Sequence, residues 1–197
     1  MTEPEKKYKD ARPDSGRAFL KRCLCALPDL TAQLVFFLLL VAGLALDLWS
    51  KKAVFEWLRH RQHTAESVSI IDGVLQLVAT ENAGAAFGIA QGQRLWLIAI
   101  SALALIVVFV VFLLSGTERK LVHAALGLFA AGVCGNLYDR LFNNGLVRDF
   151  IDVVYWPGKH WPTFNIADSM LCIGVGLMII STFPTGRFAR KHARQHK

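Results

Sequence analysis

The chain has 197 residues, 54% of them hydrophobic and 19% charged, with a formal net charge of +7 and a mean hydropathy of +0.39. That balance is too apolar for an ordinary water-soluble domain of this length, and several long apolar runs exclude a single anchor or a cleaved leader as the whole explanation. The composition points to a multi-pass, α-helical membrane protein.

Residues 1–28 are polar and basic and contain Pro13 and Gly16, the pattern of a flexible extension that ends where the membrane begins. Apolar runs at about 30–46, 95–114, 121–137 and 166–183 lie near the ~20 residues a spanning helix needs. They predict four transmembrane helices within a membrane domain of residues 29–184, followed by a basic tail, 185–197. The N-terminal extension holds seven Lys and Arg, the turn at Arg119 and Lys120 two, and the C-terminal tail five, which leaves eight of 22 for the other side. By the positive-inside rule both termini are cytoplasmic. All five tryptophans fall on or beside the opposite side, four within residues 47–94 and 138–165 and Trp96 at the start of the second run, where indole rings suit the headgroup boundary. The basic tails lack interleaved aromatics, so they suit anionic lipid and not nucleic acid.

After the first run, "DLWSKK" places Asp47 and Lys51 four apart on one helix face, as an ion pair that closes the helix or as part of a site. "WSKKAVFEWLRH" reads as a short amphipathic helix lying on the outer surface. His60 and His63 are three apart but lack a third ligand, so no metal is expected. The four cysteines, two in the N-terminal extension and two in apolar runs, give no disulfide framework. Residues 67–90 carry β-favouring runs on either side of Asp72-Gly73, a turn dipeptide, and predict a small antiparallel sheet outside the bilayer. In "ENAGAAFG", small residues around Asn82, Gly84 and Phe87 leave backbone free to pair with an extended peptide, or simply mark a turn.

The third run ends "AAGVCGNLYDRL", with Gly132, Asn136 and Arg140 spaced by four and Asp139 beside them. Such a polar stripe at a membrane boundary marks either a site facing the bundle interior or a hydrogen-bond network between helices. "GLVRDFIDVVYW" then sets Asp149 before an apolar run, and "FNIADS" sets Asn165 and Asp168 at the start of the fourth helix. Asn165 and Asp168 have the spacing of a capping box. If Asp149 and Asp168 share a pocket, repulsion and desolvation raise one pKa, leaving one acid protonated and one ionised, an arrangement that can activate water on an amide. Arg148, beside Asp149, is placed to favour its ionised form.

The four motifs "NAGAAFG", "GNLYDR", "DFID" and "FNIADS", in this order between apolar runs, resemble the lipoprotein signal peptidases, or signal peptidase II, over about residues 30–183. The resemblance implies a four-helix membrane aspartic endopeptidase with a small extracytoplasmic sheet, in a bacterial inner membrane. It would cut diacylglyceryl-modified prolipoproteins before the lipidated cysteine, with no cofactor and no obligate protein partner. It implies Asp149 and Asp168 as the catalytic pair, Asn136, Asp139, Arg140 and Asn165 around them, and Asp47, Lys51 and Asn82 as an outer shell. The chain departs from the family pattern at Leu48, where Gln is common, at Arg148, where a smaller or apolar residue is usual, and at Gly132, which is not part of a glycine pair. Boundary carboxylates beside an arginine also fit a small proton-linked transporter, and the same pocket without turnover fits a lipid- or peptide-binding module. The absence of internal repeats and the gathering of polar motifs on one side count against transport.

Overall fold

The computed structural model describes residues 28–61, 67–85, 90–116 and 120–183. Phe87 and both basic tails lie outside the described residues. The elements, in chain order, are α1 (Leu30–Arg61), β1 (Ser67–Ile71), β2 (Leu75–Asn82), α2 (Arg94–Leu114), α3 (Lys120–Phe142), β3 (Val147–Trp156), β4 (Lys159–His160) and α4 (Ile166–Thr182). Three helices, α1, α2 and α3, are long and apolar enough to cross a membrane, and α4 is a shorter apolar helix of 17 residues. The protein is a multi-pass membrane protein.

Helix α3 is the hub, packing against α1, α2 and α4. Its partners approach closely because its facing positions are small. A Cβ on Gly127 would stand 2.7 Å from the Phe36 carbonyl of α1, and one on Gly132 would stand 2.5 Å from the Ala167 carbonyl of α4. In lipid, where burying apolar surface gains little, such close backbone contact is the main source of helix association. Phe36, Val108, Phe112, Leu126 and Ala130 form a buried cluster between α1, α2 and α3, with the Phe36 and Phe112 rings stacked at 4.2 Å. A second cluster, Ala131, Ala167 and Met170, joins α3 to α4. The outer face of α2, including Leu95, Leu103, Ile106 and Leu114, is exposed, as a lipid-facing helix requires.

The segment expected as a separate interfacial helix is helical but is the continuation of α1, which runs unbroken for 32 residues, about 48 Å. Polar residues begin at Asp47, yet no Gly or Pro interrupts the backbone ladder from there to Arg61, so polarity changes without a change of structure.

The sheet is larger than the sequence suggested. β1 and β2 form the expected hairpin, with Gly73 at φ +70 in its turn. β3 then pairs antiparallel with β2, and β4 with β3, giving the order β1-β2-β3-β4. Asp149 therefore lies in a strand and not in a loop. The register between β2 and β3 shifts between Leu77↔Ile151 and Thr80↔Asp149, so β2 carries one extra residue opposite Phe150. A bulge of this kind re-aims neighbouring side chains, and here the neighbour is Asp149.

Candidate active site

Two short connections place the carboxylates. α3 runs into β3 through Asn143–Leu146, where Asn144 (φ 53) and Gly145 (φ 90) adopt the left-handed region that Asn and Gly tolerate best. On the other side of β3, the amides of Phe150 and Ile151 both donate to the Phe164 carbonyl, at 3.1 and 2.9 Å. The segment entering α4 is thus fastened alongside Asp149.

At the start of α4 the expected capping box is present. The Asn165 side chain accepts the Asp168 amide at 3.0 Å, and Asp168 Oδ2 accepts the Asn165 amide at 3.2 Å. This leaves Asp168 Oδ1 to accept Asn136 Nδ2 from α3 at 2.8 Å. Asp149 Oδ1 accepts Asn165 Nδ2 at 2.7 Å, and its Oδ2 accepts Asn82 Nδ2 at 3.3 Å. Asn165 therefore touches both carboxylates, one through its amide side chain and one through its backbone. Its Nδ2 bears two hydrogens yet also stands 3.1 Å from Asn136 Oδ1 and 3.3 Å from the Arg148 carbonyl, three acceptors in all.

Asp149 is only 3% exposed. Burial, reinforced by the charge of Asp168, pushes its carboxyl up to about 7, against smaller opposing effects from Asn82, Asn165 and Lys51. The anticipated lowering by Arg148 does not occur, because that guanidinium is turned away onto Asp139.

Behind this pair lies a buried charge cluster. Lys51 Nζ stands 2.7 Å from Asp47 Oδ2 and 3.2 Å from Asp139 Oδ2, and it donates to Asn136 Oδ1 at 3.1 Å. All three charged side chains are fully buried, so Asp47 and Lys51 do not form the exposed closing pair considered from sequence. Asp47 Oδ1 also accepts the Ala167 amide at 2.8 Å, satisfying one of the first-turn donors of α4 that the helix itself cannot. Gly135 is required here, since a Cβ would run into Asp47 Oδ2.

Arg140 spans the remaining side, donating from Nη1 to the Asn136 carbonyl at 3.2 Å and from Nη2 to the Gly84 carbonyl at 2.9 Å. The Gly84 amide in turn donates to Asn82 Oδ1 at 2.9 Å, a side-chain turn that ends β2. The small-residue strip is therefore a turn through Ala85, and it lines the site.

A cavity of about 1130 Å³ opens between this turn and residues 161–164, with Asn136, Arg140, Asp149 and Asp168 on its wall. Asn82 and Gly84 also line it, whereas Asp47, Lys51, Asp139 and Asn165 support it from behind. Sequence reasoning missed the wall formed by Trp161, Pro162, Thr163 and Phe164, which carries no spacing signal, and that formed by Leu171, Cys172 and Ile173. Leu171 and Cys172 were findable, since they follow Asp168 by three and four residues on one helix face. Two carboxylates on one wall, joined through one residue, Asn165, and differing in environment, can hold a water and pass a proton across it.

Fold and site together define a polytopic membrane protein with a two-carboxylate cavity at one end of its helix bundle. The family model described as signal peptidase (SPase) II matches residues 39–184. Relatives named lipoprotein signal peptidase include one from Photorhabdus laumondii, 40% identical over 160 residues, covering 79% of this chain and 92% of its own. Another, from Halalkalibacterium halodurans, is 35% identical over 159 residues, covering 80% and 97%. Two solved structures, described as bacterial membrane enzymes determined by the in meso method at 2.3 and 1.9 Å, are also similar. The first has a TM-score of 0.64 at 32% identity over 73% of this chain and 84% of its own. The second has 0.63 at 30% over 80% and 96%. The chain belongs to the signal peptidase II family.

Proposed function

We propose that this protein is an aspartic endopeptidase that removes signal peptides from diacylglyceryl-modified prolipoproteins, cutting before the lipidated cysteine. The observation that carries the reading is that Asp149 and Asp168 share one cavity and one bridging residue, Asn165, while the Asp149 carboxyl is pushed up to about 7. In this mechanism Asp168 accepts a proton from a water between the two acids as that water attacks the scissile carbonyl carbon. Protonated Asp149 donates to the carbonyl oxygen, forming a tetrahedral diol. As the diol collapses, ionised Asp149 takes back a hydroxyl proton, the C–N bond breaks, and the amine leaves with the proton held by Asp168, which restores both acids. Asn136 and Asn165 hold the acids in place through both steps.

The apolar residues of α4 that line the cavity, Leu171 and Ile173, support a substrate whose signal helix lies against the bundle while its acyl chains stay in lipid. The count of Lys and Arg supports cytoplasmic termini and a cavity at the outer face, and the family relation supports a bacterial inner membrane. Cleavage of a purified lipidated prolipoprotein by Asp149→Asn and Asp168→Asn variants is the test. Both lose turnover on this reading, and substantial activity in either removes the pair from the chemistry. An otherwise identical unlipidated substrate, cleaved equally well, would contradict the lipid requirement.

A further inference from the structure

Arg148 lies outside the set of residues so far given a part in the reaction, yet it is held more firmly than its exposure suggests. Its amide donates to Asp139 Oδ2 at 3.0 Å and its Nε to Asp139 Oδ1 at 3.1 Å, with Nη2 on the same oxygen. Its carbonyl lies 3.3 Å from Asn165 Nδ2. Across the sheet it pairs with Glu81 of β2, whose carboxylate accepts Asn143 Nδ2 from the α3–β3 turn. One residue thus ties β3 to the end of α3, to the cap of α4 and to β2, immediately before Asp149.

The charges reinforce the geometry. Asp47, Lys51, Asp139 and Arg148 form an alternating row of two anions and two cations, of which only Arg148 reaches the surface, at 21% side-chain exposure. Without the guanidinium, Asp139 Oδ1 keeps none of its side-chain donors and the row carries an unbalanced buried charge. A guanidinium engages one carboxylate with several donors in a fixed plane, so it sets orientation as well as distance.

We propose that Arg148 is a positioning residue for the reaction, acting through Asp139 to set where the Asp149 carboxylate stands relative to Asp168. The inference rests on the two-aspartate reading above. It predicts a loss in the chemical step and not in substrate binding, because misplacing a reacting group by a fraction of an ångström affects the transition state first.

The test is steady-state cleavage of a lipidated prolipoprotein in detergent, with each variant's folded fraction measured by thermal melting. Arg148→Gln should lower kcat about 10- to 100-fold with KM within about twofold. Arg148→Lys restores the charge without the fork and should recover only part of that loss. The double variant Asp139→Asn with Arg148→Gln should be no slower than the slower single variant, as for two residues acting as one unit. Turnover per folded molecule within about twofold of the parent in Arg148→Gln or Arg148→Lys would reduce Arg148 to a fastening of the fold and overturn the proposal. Multiplicative losses in the double variant overturn it as well. Asp149→Asn and Asp168→Asn run in parallel separate the two readings, since activity there removes the pair itself, whereas inactive pair variants beside a fully active Arg148→Gln remove only this inference.

Discussion

Replacing Asp149 by Asn should make the protein more stable above neutral pH while abolishing its proposed chemistry. The Asp149 carboxyl stands at about 7 in the fold, against an ordinary value of 3.8. A folded value above the unfolded one means a stability contribution that is complete below about pH 4 and lost as pH rises through about 7. About three pH units at ~1.4 kcal/mol each make the ionised carboxylate a penalty on the order of 4 kcal/mol at pH 8. An amide carries no such penalty, but its Nδ2 would face Asn82 Nδ2, donor against donor, which offsets about 1 to 2 kcal/mol. The net gain of about 2 to 3 kcal/mol corresponds to a melting point higher by roughly 5 to 10 °C for a chain of this size. Intrinsic tryptophan fluorescence melts in detergent at pH 4.5 and pH 8 measure it, with the two proteins melting together at the lower pH. A difference that is the same at both pH values, or a variant less stable at pH 8, would refute the assignment of a strained, proton-retaining carboxylate to Asp149.

The same carboxyl sets the pH dependence of turnover. If protonated Asp149 is the acid, cleavage falls as pH rises through about 7. Asn82→Leu removes a hydrogen bond that favours the ionised form, so the alkaline limb of the pH–rate profile should move to higher pH. Lys51→Met leaves Asp47 and Asp139 buried without their shared cation and should destabilise by about 3 to 5 kcal/mol, seen as a lowered melting point. Adding Asp47→Asn to Lys51→Met should return part of that loss. Gly135→Ala drives a methyl group into Asp47 and should destabilise by about 1 to 3 kcal/mol, whereas Gly176→Ala, which meets nothing within 4 Å, should be neutral or slightly stabilising in the same melts.

Much of the site was legible where its geometry is local. The three-residue step from Asn165 to Asp168 announces a capping box, and the four-residue step from Asn136 to Arg140 puts both on one face of α3. β3 was not legible, because its partner β2 comes some 65 residues earlier and its alternation is broken by residues buried on both faces near Asp149. The course of α1 beyond Asp47 was misjudged for a related reason. Polar residues there suggested a boundary between two helices, but the side chains of Asp47 and Lys51 are polar because they face Asp139 and Asn136, not because the helix ends. Arg148 was placed beside Asp149 by sequence and beside Asp139 by the fold, since adjacent residues of a strand point to opposite faces.

The side-chain amide of Asn165 has a consequence for the proposed catalytic cycle. With two hydrogens facing three acceptors, it always leaves one acceptor to find another donor. When Asp149 is ionised, its oxygen is the strongest claimant on Asn165. When Asp149 takes up a proton, that claim weakens, and a small rotation of the planar amide favours its other two acceptors, Asn136 Oδ1 and the Arg148 carbonyl. On the two-aspartate reading, the proton exchange proposed for Asp149 is met by a change of hydrogen-bond partners at Asn165.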